Sequence, residues 1–264
     1  MKIVSIIGAR PQFIKAAVIS KEIKKHDGIE DVIIHTGQHY DKNMSKIFFD
    51  ELEIPHPNYN LEVGSGLHGA QTADMLKKTE QILLDEKPDW VLVYGDTNST
   101  IAGSLAATKL HIKIAHVEAG LRSFNKLMPE EINRIVTDRI SDLLLVPSQN
   151  AMELLAKENL SSNAVFTGDV MFDSILFYQN MAEQKYSLKS ITDKENFYLA
   201  TVHRAENTDD EERLQNLFTA FSEMDKPVLL PLHPRTKSKL DGINYNDNVV
   251  IINPVSYLEM ILLL

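Results

Sequence analysis

Two apolar runs, Trp90–Tyr94 and 112–117, each have the length of a buried strand, and Ile101, Ala102, Leu105 and Ala106 between them fall at helical spacing. A strand, helix, strand order reads as one unit of a parallel sheet. Ligands of open parallel sheets gather outside the carboxyl ends of the strands. The chain places Asp96 after the first run and Glu118 after the second, and Pro129 opens the next helix with Glu130 and Glu131. Acids delivered to one cleft suit proton transfer, because burial and mutual repulsion can move a carboxyl group toward neutral pH. Glu130 and Arg134 are four apart and share a helix face. The pair reads as a surface ion pair unless that helix is buried, and Ile132, Ile135 and Val136 predict a buried side.

The same alternation continues on both sides of this unit. Residues 1–7 read as a first strand, Gly8-Ala9-Arg10-Pro11 as a tight turn and 12–25 as a helix begun after Pro11. Arg10 and Lys15 would then flank a helix N-terminus, where backbone amides, the dipole and two cations favour a phosphate; two solvated basic residues fit the spacing as well. Neither a G-x-G-x-x-G nor a Walker lysine loop follows this first strand. A second strand over 31–36 leads into Gln38, His39, Tyr40 and Asp41, polar groups at a strand end that read as solvated or ligand-facing. Residues 55–68, rich in Pro, Asn and Gly, read as a loop, and 69–86 as a helix with Ala73, Leu76 and Leu83 on one face. Further strands fall at 142–146 and 164–167 with a helix over 149–158, a doubly wound α/β pattern.

Near Gly168 the character changes. A helix over 170–183 and a polar connector over 185–196 precede a restart, with strands at 197–202, 228–232 and 249–252. Thr208 and Glu211 fit a capping box, and Leu214, Leu217, Phe218 and Phe221 form a core stripe. The run SYLEMILLL over 256–264 starts an apolar helix and stops in mid-pattern, so the second domain reads as incomplete, with an apolar face lacking a covering layer. The domains expected are 1–168 and 169–264.

Charge and composition narrow the function. Thirty-seven acidic against 27 basic residues give a net charge of −10, which argues against nonspecific nucleic-acid or anionic-membrane partners. There is no cysteine, which excludes disulfides, thiolate nucleophiles and zinc-thiolate sites and fits a cytoplasmic setting. The first apolar run is too short for a signal-peptide core, and no stretch approaches a membrane span.

The words GARPQFIKAA, TGQHYDKNM, VYGDTNST, HVEAGLRSF, MPEEINR, TGDVMFDS, TVHRAEN and PLHPR together resemble the non-hydrolysing UDP-N-acetylglucosamine 2-epimerases. The resemblance implies an α/β fold of glycosyltransferase-B type: two Rossmann-like domains with a nucleotide sugar between them, the second incomplete because the family's glycine-rich segment, ribose-binding carboxylate and final helix have no counterpart here. It implies interconversion of UDP-GlcNAc and UDP-ManNAc by C2 deprotonation with loss and re-addition of UDP, without metal or redox cofactor, and a homodimer for the full-length protein. Matched residue by residue, it assigns Asp96, Glu118 and Glu130 to proton transfer, in an order left open, and Arg10 and His203 to the diphosphate or its leaving oxygen. Lys15 and Arg134 would set the charge and position of the acids, and Arg204, Glu206 and Asn207 complete the HRAEN word at the cleft. Related epimerases of UDP-2,3-diacetamido glucuronate share these words, so a related UDP-sugar is the alternative substrate, and an inactive nucleotide-sugar-binding fragment is the alternative class.

Overall fold

Residues 1–38 and 51–264 are described by a computed structural model, in which the chain divides into two compact units, Met1–Ser174 and Ile175–Leu264. The first unit follows the order β1 (Lys2–Ile7), α1 (Arg10–Ile23), β2 (Glu30–His35), β3 (Tyr59–Asn60), α2 (His68–Glu86), β4 (Trp90–Tyr94), α3 (Asn98–Lys109), β5 (Lys113–Val117), α4 (Pro129–Ile140), β6 (Leu143–Val146), α5 (Gln149–Lys157), β7 (Ala164–Phe166) and α6 (Val170–Lys185), the last running across the division. Among the described residues its strands form one seven-stranded sheet, order β3-β2-β1-β4-β5-β6-β7, parallel at every pair. Strand order reverses between β1 and β4. That is the switch point where the loops of two neighbouring strands diverge and leave a crevice.

The apolar runs behave as their length predicts. Val4, Ile6, Val91, Val93 and Ile114 are fully buried and pack with Ala106 and Ala107 of α3 and Leu83 of α2. Small residues on α3 let the helix lie close on the sheet. Register puts Tyr94 opposite Val117, so Asp96 and Glu118 leave adjacent strands at the same sheet edge. Gly8, at the end of β1, sits where the Thr36 and Ser99 hydroxyls bond each other at 2.8 Å, and a Cβ there would overlap both.

Three helical and loop expectations change. The stretch over 55–68 contributes the edge strand β3, pairing Ile34 with Tyr59 and His35 with Asn60. On α2 the buried row is Gln71, Met75, Thr79 and Leu83, while Ala73 is exposed, because the helix meets the polar start of α3 as well as the sheet. On α4 the buried residues are Glu131, Asn133, Thr137 and Asp138, and Ile132 is 50% exposed. This helix turns its polar face inward because buried acceptors and donors await it.

Chief among them is His116 of β5, whose ring lies between Asp138 (2.7 Å) and the Gly95 carbonyl (2.7 Å). Asp138 also accepts from Arg122 (2.7 Å) and the Gly120 amide (3.1 Å), and Arg122 grips Glu158 with two nitrogens, each at 2.7 Å. Burial pushes the Asp138 carboxyl up, but bonds from His116 and Arg122 outweigh it and hold its pKa below the usual range.

The second unit is a smaller parallel layer. It carries α7 (Leu188–Ile191), β8 (Tyr198–Leu199), α8 (Ala205–Thr208), α9 (Glu211–Ser222), β9 (Val228–Pro231), α10 (Pro234–Lys237), β10 (Val249–Ile252) and α11 (Tyr257–Leu263), with strand order β10-β9-β8. Leu214 and Phe218 are buried with Val202, Leu230 and Val249, and Leu217 and Phe221 pack beside them, so the stripe is core. The polar connector contains the short helix α7, and the restart strand is only two residues long because the chain leaves β9 once Ala200 has bonded Leu229. Asp210, not Thr208, caps α9, accepting from the Arg213 amide at 3.0 Å. Ser256 and Glu259 form a capping box on α11, whose Leu258, Ile261 and Leu263 are buried rather than uncovered.

Two outcomes follow from this packing. Gly8→Ala should lower stability by about 2 kcal/mol through overpacking, read as a lower urea midpoint; an unchanged midpoint would refute the close approach. Because the folded pKa of Asp138 is depressed, its contribution is complete above about pH 4 and is lost as pH falls through the folded value. Asp138→Asn should cost about 3 kcal/mol at neutral pH and flatten the acid limb of Tm against pH, whereas parallel curves for the two proteins would show that the group does not carry that limb.

Candidate active site

The turn between β1 and α1 is closed by one side chain. Gln12 Oε1 accepts from the amides of Gly8 (2.8 Å) and Ala9 (3.0 Å), and its Nε2 donates to the Tyr94 carbonyl (2.6 Å) and to Thr97 and Thr100 (3.0 Å each). The amides of Gln12 and Phe13 bond the Ala9 carbonyl, and Pro11 has none. The amides of Gly8, Ala9, Gln12 and Phe13 at the start of α1 are thus all taken internally. Arg10 is exposed at the start of the helix, while Lys15 is buried and its ammonium pairs with Glu118.

Glu118 follows β5 with φ +70, a left-handed conformation that costs a residue with a side chain about 1–2 kcal/mol. Its amide and that of Ala119 both bond the Leu145 carbonyl at 3.1 Å, and the ion pair with Lys15 adds to the offset. The conformation turns the carboxylate back over the sheet edge. Gly95, with φ +61, passes beneath it, where a Cβ would lie 3.3 Å from the Glu118 oxygen.

Asp96 sits on the parallel turn after β4. Its carboxylate pairs with Arg134 of α4, and its carbonyl accepts from Asn133 (2.9 Å). Arg134 also lies 3.3 Å from Glu131. Glu130 is half-buried in the first turn of α4, beside Glu131 rather than in its place. Glu131 is buried, accepting from the Ser123 amide (2.9 Å), the Ser123 hydroxyl (3.0 Å) and the Phe124 amide (2.9 Å). Burial raises its pKa, but these bonds and Arg134 bring it below the ordinary value. Glu131 therefore organises the 118–124 loop, a job the paired glutamates in the sequence did not distinguish.

Asp96, Glu118, Lys15 and Arg134 thus converge on the carboxyl edge of β4 and β5. Beside Glu118 opens a cavity of about 170 Å³, lined also by Val117, Leu145, Thr167 and Asp173. Gln38 is committed elsewhere, accepting from Ser99 through its amide (3.0 Å) and hydroxyl (2.7 Å); His39, Tyr40 and Asp41 lie outside the described residues. Two carboxylates, each oriented by a cation, can remove a proton from carbon and return one.

His203, Arg204, Glu206 and Asn207 belong to the second unit, on the loop after β8 and in α8. His203 is exposed, with its ring centroid 5.6 Å from that of His233. Arg204 and Glu206 are exposed at 3.8 Å from each other. Arg235 braces this loop by donating to Thr208 (3.0 Å) and Asp209 (2.6 Å), and Thr236 donates to the Val202 carbonyl. His233 and Arg235 come from the PLHPR word, so the sequence carries the signal for both.

Comparison with known proteins gives this geometry a context. The family described as UDP-N-acetylglucosamine 2-epimerase matches residues 21–264. The chain is 58% identical to a UDP-N-acetylglucosamine 2-epimerase homolog of Methanococcus maripaludis and 53% identical to the UDP-2,3-diacetamido-2,3-dideoxy-D-glucuronate 2-epimerase of Pseudomonas aeruginosa. All of this chain is covered in both, with 76% and 75% of the relatives' lengths. The crystal structure of the Methanocaldococcus jannaschii UDP-GlcNAc 2-epimerase in complex with UDP-GlcNAc and UDP superposes with a TM-score of 0.85 at 44% identity, covering all of this chain and 76% of that one. The fold is accordingly α/β of the glycosyltransferase-B type, and the chain belongs to the UDP-N-acetylglucosamine 2-epimerase family.

Proposed function

We propose that this protein is a non-hydrolysing UDP-N-acetylglucosamine 2-epimerase, an isomerase that interconverts UDP-GlcNAc and UDP-ManNAc. The observation that carries the reading is the pair of cation-held carboxylates, Asp96 on Arg134 and Glu118 on Lys15, on adjacent strand ends of a chain of this family. A base takes the C2 proton, the C–H electrons form the C1–C2 double bond, and the C1–O bond breaks with its pair leaving on UDP. Protonation of C2 on the other face and return of the UDP oxygen to C1 complete the inversion. The sequence is redox-neutral. In this reading Asp96, Glu118 and Glu130 move the protons, Lys15 and Arg134 orient the acids, and Arg10 and His203 neutralise the departing diphosphate, with Arg204, Glu206 and Asn207 beside it. The domain over 1–168 supplies the acids and the domain over 169–264 receives the nucleotide. The absence of cysteine is in keeping with work in the cytoplasm, and exposed Phe124, Leu127, Met128 and Ile132 offer an apolar strip for homodimer formation.

The 53% identity to the Pseudomonas enzyme supports a second reading, with UDP-2,3-diacetamido glucuronate as substrate and the same chemistry. Both are tested together by incubating the protein with each UDP-sugar in deuterated water. The preferred substrate should yield 2-epimer carrying deuterium at C2; an epimer that keeps its original hydrogen would rule out elimination. Asp96→Asn and Glu118→Gln should each lower kcat by about 100-fold or more with KM little changed. Wild-type rates in both variants would remove these residues from the chemistry.

A further inference from the structure

His116, the histidine of the HVEAGLR word, is none of the residues that move the protons or meet the diphosphate. Its side chain is fully buried on β5, one strand away from the turn that carries Asp96. Nε2 lies 2.7 Å from the Gly95 carbonyl and Nδ1 lies 2.7 Å from Asp138 Oδ1. A carbonyl oxygen can only accept. Asp138 is an acceptor too, for its other oxygen already takes bonds from Arg122 and the Gly120 amide. A ring with one bare nitrogen would press a lone pair against an oxygen at 2.7 Å in a fully buried position. Both ring nitrogens therefore face acceptor oxygens.

We propose that His116 is a positioning residue for proton transfer, its charged ring fixing the Gly95 carbonyl and so the backbone on which Asp96 is presented. This rests on the assignment of Asp96 to the chemistry. The charge is compensated in a line: His116 meets Asp138 of α4, Asp138 meets Arg122, and Arg122 meets Glu158 beyond α5, so each charge lies against its opposite. Asp138 is the charged group in direct contact with the ring, and Arg122 stands behind it. The neighbouring carbonyls of the same turn are held by neutral donors, Tyr94 by the Gln12 amide and the Thr100 hydroxyl and Asp96 by the Asn133 amide. The bond to Gly95 comes from a charged donor, roughly twice as strong as a neutral one. It sits one residue before Asp96, where a small backbone shift displaces the carboxylate from Arg134 and from the substrate carbon.

The test has a spectroscopic arm and a kinetic arm. In ligand-free protein, nitrogen-proton NMR should show two ring N–H protons on His116 between about pH 6 and 8, the range in which an ordinary histidine changes charge; a single ring N–H there would overturn the proposal. His116→Gln keeps an amide N–H within reach of the Gly95 carbonyl, whereas His116→Asn is one carbon too short. The asparagine variant should lose about 100-fold in kcat with KM for the UDP-sugar nearly constant, and the glutamine variant, which restores a bond to the carbonyl but not the charge, should recover part of that loss. Equal losses in the two, or losses that follow Tm and KM, would mean that His116 serves stability alone. Wild-type protein inert toward both UDP-sugars would overturn the epimerase assignment and the catalytic part of this proposal with it, while the two-proton signal is read independently of any substrate.

Discussion

Three consecutive backbone carbonyls, those of Tyr94, Gly95 and Asp96, each take a hydrogen bond from the side chain of a different element. Gln12 reaches from α1, His116 from β5 and Asn133 from α4, across 82, 21 and 37 residues of sequence. A turn leaving a sheet has no ladder to satisfy its carbonyls, and leaving them buried and bare would cost free energy. Satisfying them from three directions gives the turn one geometry. That geometry exists only when α1, β5 and α4 are all docked, so the placement of Asp96 is a property of the whole first unit rather than of the loop.

Glu118 is placed by a different balance of forces. It adopts a left-handed backbone that disfavours a side chain, and the buried ammonium of Lys15 holds the carboxylate that this backbone aims. Lys15 in turn is buried where α1 packs on β1, β2 and β4. Removing either partner would strand a charge with little solvent, a larger penalty than the pair's own net contribution. The two acids are thus fixed by complementary means, one through its carbonyl and one through its side-chain partner. Both arrangements leave the carboxylates directed at the same edge of the sheet.

The sequence made the strands legible because burial on both faces turns each into a continuous apolar run, and Trp90–Tyr94 and Val249–Ile252 lie where those runs do. Parallel order and acids at the strand ends followed from the same pattern. What periodicity missed was polar burial. Ile132 suggested the inner side of α4, yet Glu131, Asn133, Thr137 and Asp138 face inward, because their partners are a turn, a histidine and an arginine that no local window contains. Gln12 was unremarkable in the sequence for the same reason. Its bonds run to Tyr94 and Thr100, and a glutamine bears no mark of a partner more than eighty residues away.

That polar interior also explains why α4 is set by its chemistry more than by its apolar residues. A helix docked by leucines can slide or rotate by a fraction of a turn at modest cost, because apolar contact has no direction. Asp138 on His116 and Asn133 on the Asp96 carbonyl fix both the rotation and the height of α4, and Arg134, one residue along, inherits that precision when it pairs with Asp96. Replacing these groups by apolar ones of similar volume can preserve or raise stability, but it would release the register on which the acid depends. The buried charges are thus a positional device first, and the alternation from His116 to Glu158 is what lets the fold tolerate them.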